Sequence, residues 1–148
     1  MTREAGLTEQ PQILPGQVGE GFLRHAQNPS NLGVMARPSG RAMEVGQCGD
    51  SVEIFIQVDN DTISQIKVMP HGCLYTVVCA SAVSELAQGL TLDGALQLEP
   101  EQLERELGGL PEDHQHCARL AINTLGEAIN DYYQTRTSGA PAQAAAKE

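Results

Sequence analysis

The sequence predicts an α+β fold, in which a small antiparallel sheet of about three strands packs against several helices. Runs with the two-residue alternation of β-strands come first in the chain, and runs with helical periodicity follow them. The strand–helix–strand alternation that builds a parallel sheet is absent from the sequence. These two observations favour α+β over α/β.

The strand region contains a hairpin. Residues 51–59 (SVEIFIQVD) alternate, residues 59–61 (DND) form a turn, and residues 62–69 (TISQIKVM) supply a second strand. One face of the first strand is apolar: Val52, Ile54, Ile56 and Val58. Residues 43–48 (MEVGQC) are a candidate third strand.

Helices are predicted before and after the strand region in the sequence. Residues 20–27 (EGFLRHAQ) form two turns that end at Asn28-Pro29, with His25 expected on a solvated face. After the sheet, residues 74–89 have one apolar stripe and end at Gly89. The stripe consists of Val77, Ala80, Val83 with Ser84, and Ala87.

Three more helices follow towards the C-terminus. Thr91 caps a short helix, and Pro100 opens the next one. The longest covers about residues 114–134. Its apolar stripe is Leu120, Ala121, Leu125, Ala128, Ile129 and Tyr132.

One domain accounts for the chain of 148 residues. We expect it to span residues 19–135. Residues 1–18 lack a sustained period and are expected to be flexible, and residues 136–148 are small and polar and are expected to be disordered.

The charge balance argues against nucleic-acid binding. Nine Lys and Arg face 19 Asp and Glu, for a formal net charge of −10. Affinity for nucleic acid depends on cations that neutralise phosphates, and the chain has no basic run. The acidity suits partners with a basic docking face, although solubility alone explains it more simply.

The four cysteines are expected to be reduced. The sequence has no apolar run of the roughly 20 residues that span a bilayer, and its start lacks a secretory signal. We therefore expect no membrane contact and a cytoplasmic location. Cysteines in that compartment are free, metal-bound or catalytic more often than disulphide-bonded.

Three of these cysteines lie where predicted elements begin or end. Cys48 precedes the first confident strand, Cys73 lies between the second strand and the next helix, and Cys117 falls in the first turn of the last helix. Such positions project side chains from rigid supports into a shared cleft. Thiolates bind iron–sulphur clusters and zinc, and Asp50 beside Cys48 adds a weakly held oxygen ligand that suits an exchangeable site.

The spacing of the cysteines also allows a second interpretation, in which they are buried core residues and bind no metal. No Cys-x-x-Cys pair is present, and cytosolic cysteines frequently serve as small buried hydrophobes.

The order of several segments resembles the NifU/IscU-type iron–sulphur cluster assembly scaffolds over about residues 20–133. The segments are HAQNPSNLG (25–33), QCGD (47–50), SVEIFIQVDNDTISQIKVM (51–69), HGCLYTVVCASAVSELAQG (71–89) and LPEDHQHCARLA (110–121). The resemblance implies a stand-alone scaffold module and not an enzyme. It also implies the α+β fold derived above.

The resemblance further implies the roles of five residues. Cys48, Cys73 and Cys117 match the cluster-binding cysteines, Asp50 the aspartate that keeps the cluster labile, and His116 the histidine beside the last cysteine. The implied cargo is a 2Fe–2S or 4Fe–4S cluster built from iron, with zinc occupying the same ligands in isolated protein. A cysteine desulphurase would donate sulphur to Cys117, and acceptor apoproteins would take the cluster; a homodimer is a further candidate assembly.

Two departures from the family pattern bear on partners and ligands. Relatives that use a dedicated DnaK-type chaperone carry Leu-Pro-Pro-Val-Lys before the His-Cys pair, whereas this chain has LPEDH at 110–114. We therefore do not expect that chaperone to act through this segment. His114 replaces the usual Lys and is expected near the site. The insertion of the SufU-type branch is also absent.

Two other residues are expected outside the site. Cys79 lies six residues after Cys73, about 240° away around the helix, and is expected to be a buried core thiol. His71 is expected to be a polar loop residue.

Two alternative functions remain at this point. One is a structural zinc-binding interaction domain, which chelation would unfold. The other is a thiol enzyme with His116 as the base for Cys117. It ranks last because adjacent helical residues point about 100° apart.

Overall fold

The computed structural model describes residues 19–138, which form six helical segments and three strands. In chain order these are α1 (Glu20–Gln27), β1 (Gly40–Val45), β2 (Ser51–Asp59), β3 (Thr62–His71), α2 (Leu74–Ala87), α3 (Leu92–Leu96), α4 (Pro100–Leu107), a 3₁₀ turn (Glu112–His114) and α5 (Gln115–Ser138). The α+β prediction is confirmed.

The sheet is a three-stranded antiparallel meander with the order β1–β2–β3. The predicted hairpin joins β2 to β3, and its turn residues Asn60 and Asp61 both have positive φ, at 53° and 58°. This backbone matches the twist of a tight hairpin, and Asn and Asp tolerate it better than most residues. Ser51 pairs with Val45 on one side and with His71 on the other, so the three strands reach a common edge there.

The core lies between the sheet and a helical layer formed by α2 and α5. Val52, Ile54 and Ile56 of β2 are at most 1% exposed. The predicted α5 stripe faces them: its residues from Leu120 to Ile129 are buried and Tyr132 is partly buried. Helices α1 and α4 contact each other and α2, and α4 also contacts α5. This packing puts the beginnings of α2 and α5 near one edge of the sheet.

Helix α2 differs from its prediction because it is buried on nearly every side. Buried positions occur throughout its length: Thr76, Val78, Cys79, Ala80, Ser81, Ala82, Val83, Ser84 and Ala87. The sheet, α1, α4 and α5 all contact it, so apolar and small residues occupy most of its circumference and not one stripe. Cys79 is 1% exposed in this core, as expected.

The predicted bounds of β1 and α5 were wrong by three residues or more. Strand β1 begins at Gly40, three residues earlier than expected, and ends at Val45. It is held by pairing with β2 and by close packing of Gly40 against the backbone of α5, which local propensity does not report. Helix α5 continues to Ser138, four residues beyond the expected end.

His25 was expected on a solvated face of α1, and this expectation was wrong. Its side chain is fully buried, and Nδ1 lies 2.7 Å from Oγ of Ser81 on α2. Burial is tolerable because the ring nitrogens have hydrogen-bond partners, which include Glu106 at 3.3 Å from Nε2.

Parts of the predicted domain organisation lie outside the described residues. The flexible segment predicted at 1–18 and residues 139–148 of the predicted tail are among them. The domain limits at 19 and 135 stay predictions. Within residues 19–138, no helix combines the length and the apolar character needed to cross a membrane.

Candidate metal centre

Three chain segments meet at the edge of the sheet where β2 begins. They are the β1–β2 loop (residues 46–50), the β3–α2 junction (residues 72–73) and the first turn of α5. The antiparallel register brings the loop beside the junction, because Ser51 pairs with His71. All five residues assigned to the site from the sequence lie in these segments.

The β1–β2 loop presents Cys48 to solvent. The N–H of Gly46 donates to the carbonyl of Asp50 at 2.7 Å, and the N–H of Gly49 donates to the carbonyl of Gly46 at 3.1 Å. Gly49 has φ +85°, a conformation that favours glycine. Cys48 is exposed, and its Sγ lies 3.5 Å from Nε2 of His116.

Cys73 lies at the N-cap of α2, directly after a close approach of two backbones. A side chain at Gly72 would collide with Cβ of Asp50, so glycine is required there. Cys73 is exposed. Burial raises the pKa of its thiol, but hydrogen bonds with the side chain and backbone of Thr76 and with the backbone of Tyr75 outweigh it. The net pKa is therefore lower than usual.

Cys117 is buried, unlike the other two cysteines of the site. It is 1% exposed. Burial raises the pKa of its thiol to about 12, with a further rise from the negative charges of Cys73 and Asp50 against the opposing hydrogen bond of Thr76. Without a metal, Cys117 is therefore a protonated thiol at neutral pH.

Asp50 is buried with one oxygen bonded and one free. Its Oδ2 accepts a hydrogen bond from Oγ1 of Thr76 at 2.5 Å. Its Oδ1 is buried without a hydrogen-bond partner among the described residues. Nδ1 of His114 is likewise buried without a partner in this part of the chain. A buried polar atom without a partner costs free energy, so each of these two atoms is a good candidate to bind a cation. Thr76 was missed by sequence reasoning, although its i+3 spacing from Cys73 on a helix was a usable signal.

The donor atoms form two overlapping groups. One contains Cys73, His114 and Cys117, and the other contains Asp50, His116 and Cys117. Within each group the donor atoms lie within 4.8 Å of one another. Cys48 is in neither group and reaches the site through His116. Sulphur, imidazole and carboxylate donors of this kind match zinc and iron–sulphur chemistry.

The expected separation of His116 from Cys117 was wrong. Nε2 of His116 lies 3.7 Å from Sγ of Cys117, although the residues are adjacent in α5. The high pKa and burial of Cys117 nevertheless argue against an activated nucleophile there, since the thiolate is the reactive form. His71 was expected in a loop, and this expectation was wrong: it is the last residue of β3 and pairs with Ser51. It is exposed and belongs to neither group.

A third group of donors lies at the other end of α2. It consists of His25, Glu85 and Glu106, and sequence reasoning missed it because the three lie on different helices. Glu85 is twelve residues after Cys73, which corresponds to about 18 Å along a helix. The Arg24 guanidinium already bridges the carboxylates, at 3.3 Å from Glu85 and 2.7 Å from Glu106. This group is therefore an ion-paired network.

Comparison with known proteins identifies relatives of this chain. Residues 18–139 match the family described as the NifU-like N terminal domain. The chain is 37% identical over 112 residues to iron-sulfur cluster assembly scaffold protein IscU 1 of Archaeoglobus fulgidus, covering 74% of this chain and 72% of that protein. It is 35% identical over 123 residues to IscU of Aquifex aeolicus, covering 78% and 76%.

A solved structure has the same fold. It is the N-terminal part of a NifU-like protein from Brucella abortus, which superposes with a TM-score of 0.63 at 17% identity and covers 78% of this chain and 94% of that one. At this identity the likeness concerns the fold alone. The sequence relatives and the family match, together with the shared fold, show that this chain belongs to the NifU/IscU family.

Proposed function

We propose that the chain is an iron–sulphur cluster assembly scaffold. In this role it accepts sulphur from a cysteine desulphurase, binds iron, builds a labile cluster and transfers it to apoproteins. Proteins of this family are scaffolds and not enzymes, so the cluster is cargo. The observation that carries the proposal is the pair of overlapping donor groups that share Cys117 at the sheet edge.

The proposed ligands are Cys48, Asp50, Cys73, His116 and Cys117. Two of them, Cys73 and Cys117, lie at the beginnings of α2 and α5, where the helix dipoles favour bound negative charge. The cargo is a 2Fe–2S or a 4Fe–4S cluster, and zinc competes for the same donors. Loading displaces the thiol protons, because thiolate is the form that binds metal.

Asp50 is proposed to keep the cargo exchangeable. A carboxylate oxygen is a hard donor and binds soft iron–sulphur units less firmly than a thiolate does. Thr76 holds Oδ2 and leaves Oδ1 free, which supports a ligand that attaches and leaves without rearrangement of the loop.

Cys117 is proposed as the sulphur acceptor. Opening of the segments over Cys117 would remove the burial that raises its pKa, and the thiol would then lose its proton to solvent. The resulting thiolate would attack the terminal sulphur of the desulphurase persulphide, so that an S–S bond forms on Cys117 and the desulphurase thiolate leaves. Burial to 1% exposure requires that the segments over Cys117 open first. Its location in both donor groups supports delivery of sulphur to the cluster position.

The proposed partners would dock at the face around Cys48 and Cys73. Val45 and Leu74 flank these cysteines and are 64% and 51% exposed, a combination that suits a protein partner. We propose a cytoplasmic location, where free thiols persist. A homodimer is compatible with this role, and a DnaK-type chaperone acting through residues 110–114 is not proposed.

Anaerobic reconstitution with iron and sulphide tests the function. Wild type should develop sulphur-to-iron charge-transfer absorbance, and Cys48→Ser, Cys73→Ser and Cys117→Ser should lose or weaken it. Cys79→Ser is the matched control, because this thiol is buried in the core and belongs to neither donor group, and it should behave like wild type. Wild type without cluster absorbance, or equal losses in all four variants, would refute the proposal.

Trapping of labelled sulphur tests the acceptor separately. After incubation with a cysteine desulphurase and labelled cysteine, Cys117→Ser should carry no label, while Cys79→Ser should carry the wild-type amount. Full labelling of Cys117→Ser would show that another thiol accepts the sulphur.

A further inference from the structure

We propose that His114 is itself a metal ligand, which binds a metal ion together with Cys73 and Cys117. This inference rests on the proposed metal-binding role of the cysteine pocket and adds a second ligand set to it. Its consequence is that the pocket offers two overlapping metal positions, one with His114 and one with His116 and Asp50, that share Cys117.

The first argument is the unmet hydrogen-bonding capacity of the His114 ring. His114 ends the 3₁₀ turn that leads into α5. Its Nδ1 is buried and has no hydrogen-bond partner in the part of the chain that the structure describes. A buried ring nitrogen left unpaired costs free energy, and a metal bond removes that cost.

The second argument is that the ring is already held in place. His114 stacks on Tyr75, with 3.7 Å between the ring centroids and 10° between the planes. Tyr75 in turn contacts Phe22 of α1, at 5.2 Å between centroids. A ligand oriented by packing loses little rotamer freedom when metal binds, which favours binding.

The third argument is the spacing of the three donors. One ring nitrogen of His114 and the sulphurs of Cys73 and Cys117 lie within 4.8 Å of one another. Metal–ligand bonds of about 2.0–2.3 Å in a tetrahedron put donors about 3.3–3.8 Å apart. The group therefore needs to contract by at most about 1.5 Å, which rotation of the two cysteine side chains can supply.

Nuclear magnetic resonance with ¹¹³Cd²⁺ as the probe tests this assignment directly. In the full chain labelled with ¹⁵N-histidine and saturated with the metal, a ring nitrogen of His114 should show scalar coupling to cadmium. His114→Phe keeps an aromatic ring against Tyr75 but has no nitrogen, so the coupled signal of His114 should disappear in it while any coupled signal of His116 remains. His71→Phe is the control, since His71 is exposed and outside both groups, and it should keep the signal.

Zinc affinity provides an independent measurement. Competition with a chromophoric chelator should show His114→Phe at least about tenfold weaker than wild type, comparable with losses seen on perturbing metal sites. Its circular dichroism spectrum without metal should match wild type. Unchanged affinity together with absence of cadmium coupling to His114 would overturn the inference.

The outcome is separable from that of the scaffold proposal. If cadmium couples to His114 but iron and sulphide yield no cluster, the ligand assignment stands and the scaffold function fails. If the cluster forms and His114 shows no coupling, His114 is a packing residue and the scaffold function stands.

Discussion

Thr76 donates its hydroxyl proton to Oδ2 of Asp50 across 2.5 Å, which links the first turn of α2 to the β1–β2 loop. The same hydroxyl oxygen lies 3.6 Å from Sγ of Cys73 and 3.8 Å from Sγ of Cys117. The Thr76 hydroxyl therefore lies between the carboxylate of Asp50 and the two thiols. Asp50 is thereby held by one carboxylate oxygen, and Oδ1 has no hydrogen-bond partner among the described residues.

Replacement of Asp50 by Ala should slow cluster release while the fold stays intact. The substitution removes the oxygen ligand that we propose to be labile, so the remaining proposed ligands should hold the cluster more firmly. The measurement is the rate of cluster transfer to an apo-ferredoxin, with Asp59→Ala at the exposed end of β2 as the control. Transfer by Asp50→Ala at the wild-type rate would contradict the role given to Asp50.

Replacement of Asp50 by Asn should lower the pKa of Cys117 from its value of about 12. Burial still raises this pKa, but the negative charge that further disfavours the thiolate is gone. Well below the pKa, each unit of decrease raises the thiolate fraction about tenfold. The alkylation rate of Cys117 at mildly alkaline pH, read by mass spectrometry, should therefore rise in Asp50→Asn and not in Asp59→Asn. A slower rate would show that the charge of Asp50 does not raise the pKa of Cys117.

The four thiols of the metal-free protein should react with iodoacetamide at two clearly different rates. Cys48 and Cys73 are exposed, whereas Cys79 and Cys117 are 1% exposed. At neutral pH Cys73 should react faster than an unperturbed thiol, because its pKa is lowered and thiolate is the nucleophile. Peptide mapping at short times checks this order. Early modification of Cys79 would mean that the core opens readily.

Removal of metal should leave the protein folded. The hydrophobic core lies between the sheet and the helices, and among its described residues Cys117 is the one proposed metal ligand, so most of the core does not depend on a metal site. Treatment with a chelator should therefore lower the melting temperature only by the amount expected for loss of a ligand, with helical circular dichroism retained. Unfolding on chelation would support the structural zinc domain instead.

Ser81→Ala should destabilise the protein without changing metal binding. The Ser81 hydroxyl serves both Nδ1 of buried His25 and the N–H of Ser30, each at 2.7 Å. Each buried polar group left unpaired costs about 1–3 kcal/mol. Urea unfolding measures the loss, with Ser64→Ala on the exposed side of β3 as a control expected within about 0.5 kcal/mol of wild type. Equal stability of the two variants would mean that water replaces the hydroxyl.

Local patterns were sufficient for the elements whose determinants are neighbours in the sequence. The β2–β3 hairpin follows from strand alternation around an Asn-Asp turn, and Thr91 caps α3 by accepting from the N–H of Gly94 at 3.0 Å, as predicted. The apolar stripe of α5 was also predicted correctly. The assignment of individual metal ligands stays a prediction.

Sequence patterns led to wrong predictions where an element distant in sequence determines the environment of a residue. His25 was placed on a solvated face because its own helix offered no reason to bury it. Ser81, 56 residues away, supplies the partner that makes burial tolerable. The first strand was misplaced for the same reason, since its pairing with β2 and its packing on α5 hold residues 40–42 in the sheet.

By itself, the sequence determined the α+β class, the main elements and the positions of three cysteines at their ends, because periodicity, capping and turn chemistry act over a few residues. Only the tertiary structure decided that Cys117 is buried and shared by two donor groups, that Thr76 holds Asp50, and that Cys48 joins through His116. Those relationships depend on where helices and strands distant in sequence pack together, and side-chain distances of a few ångströms across such contacts leave no periodic signal in the chain.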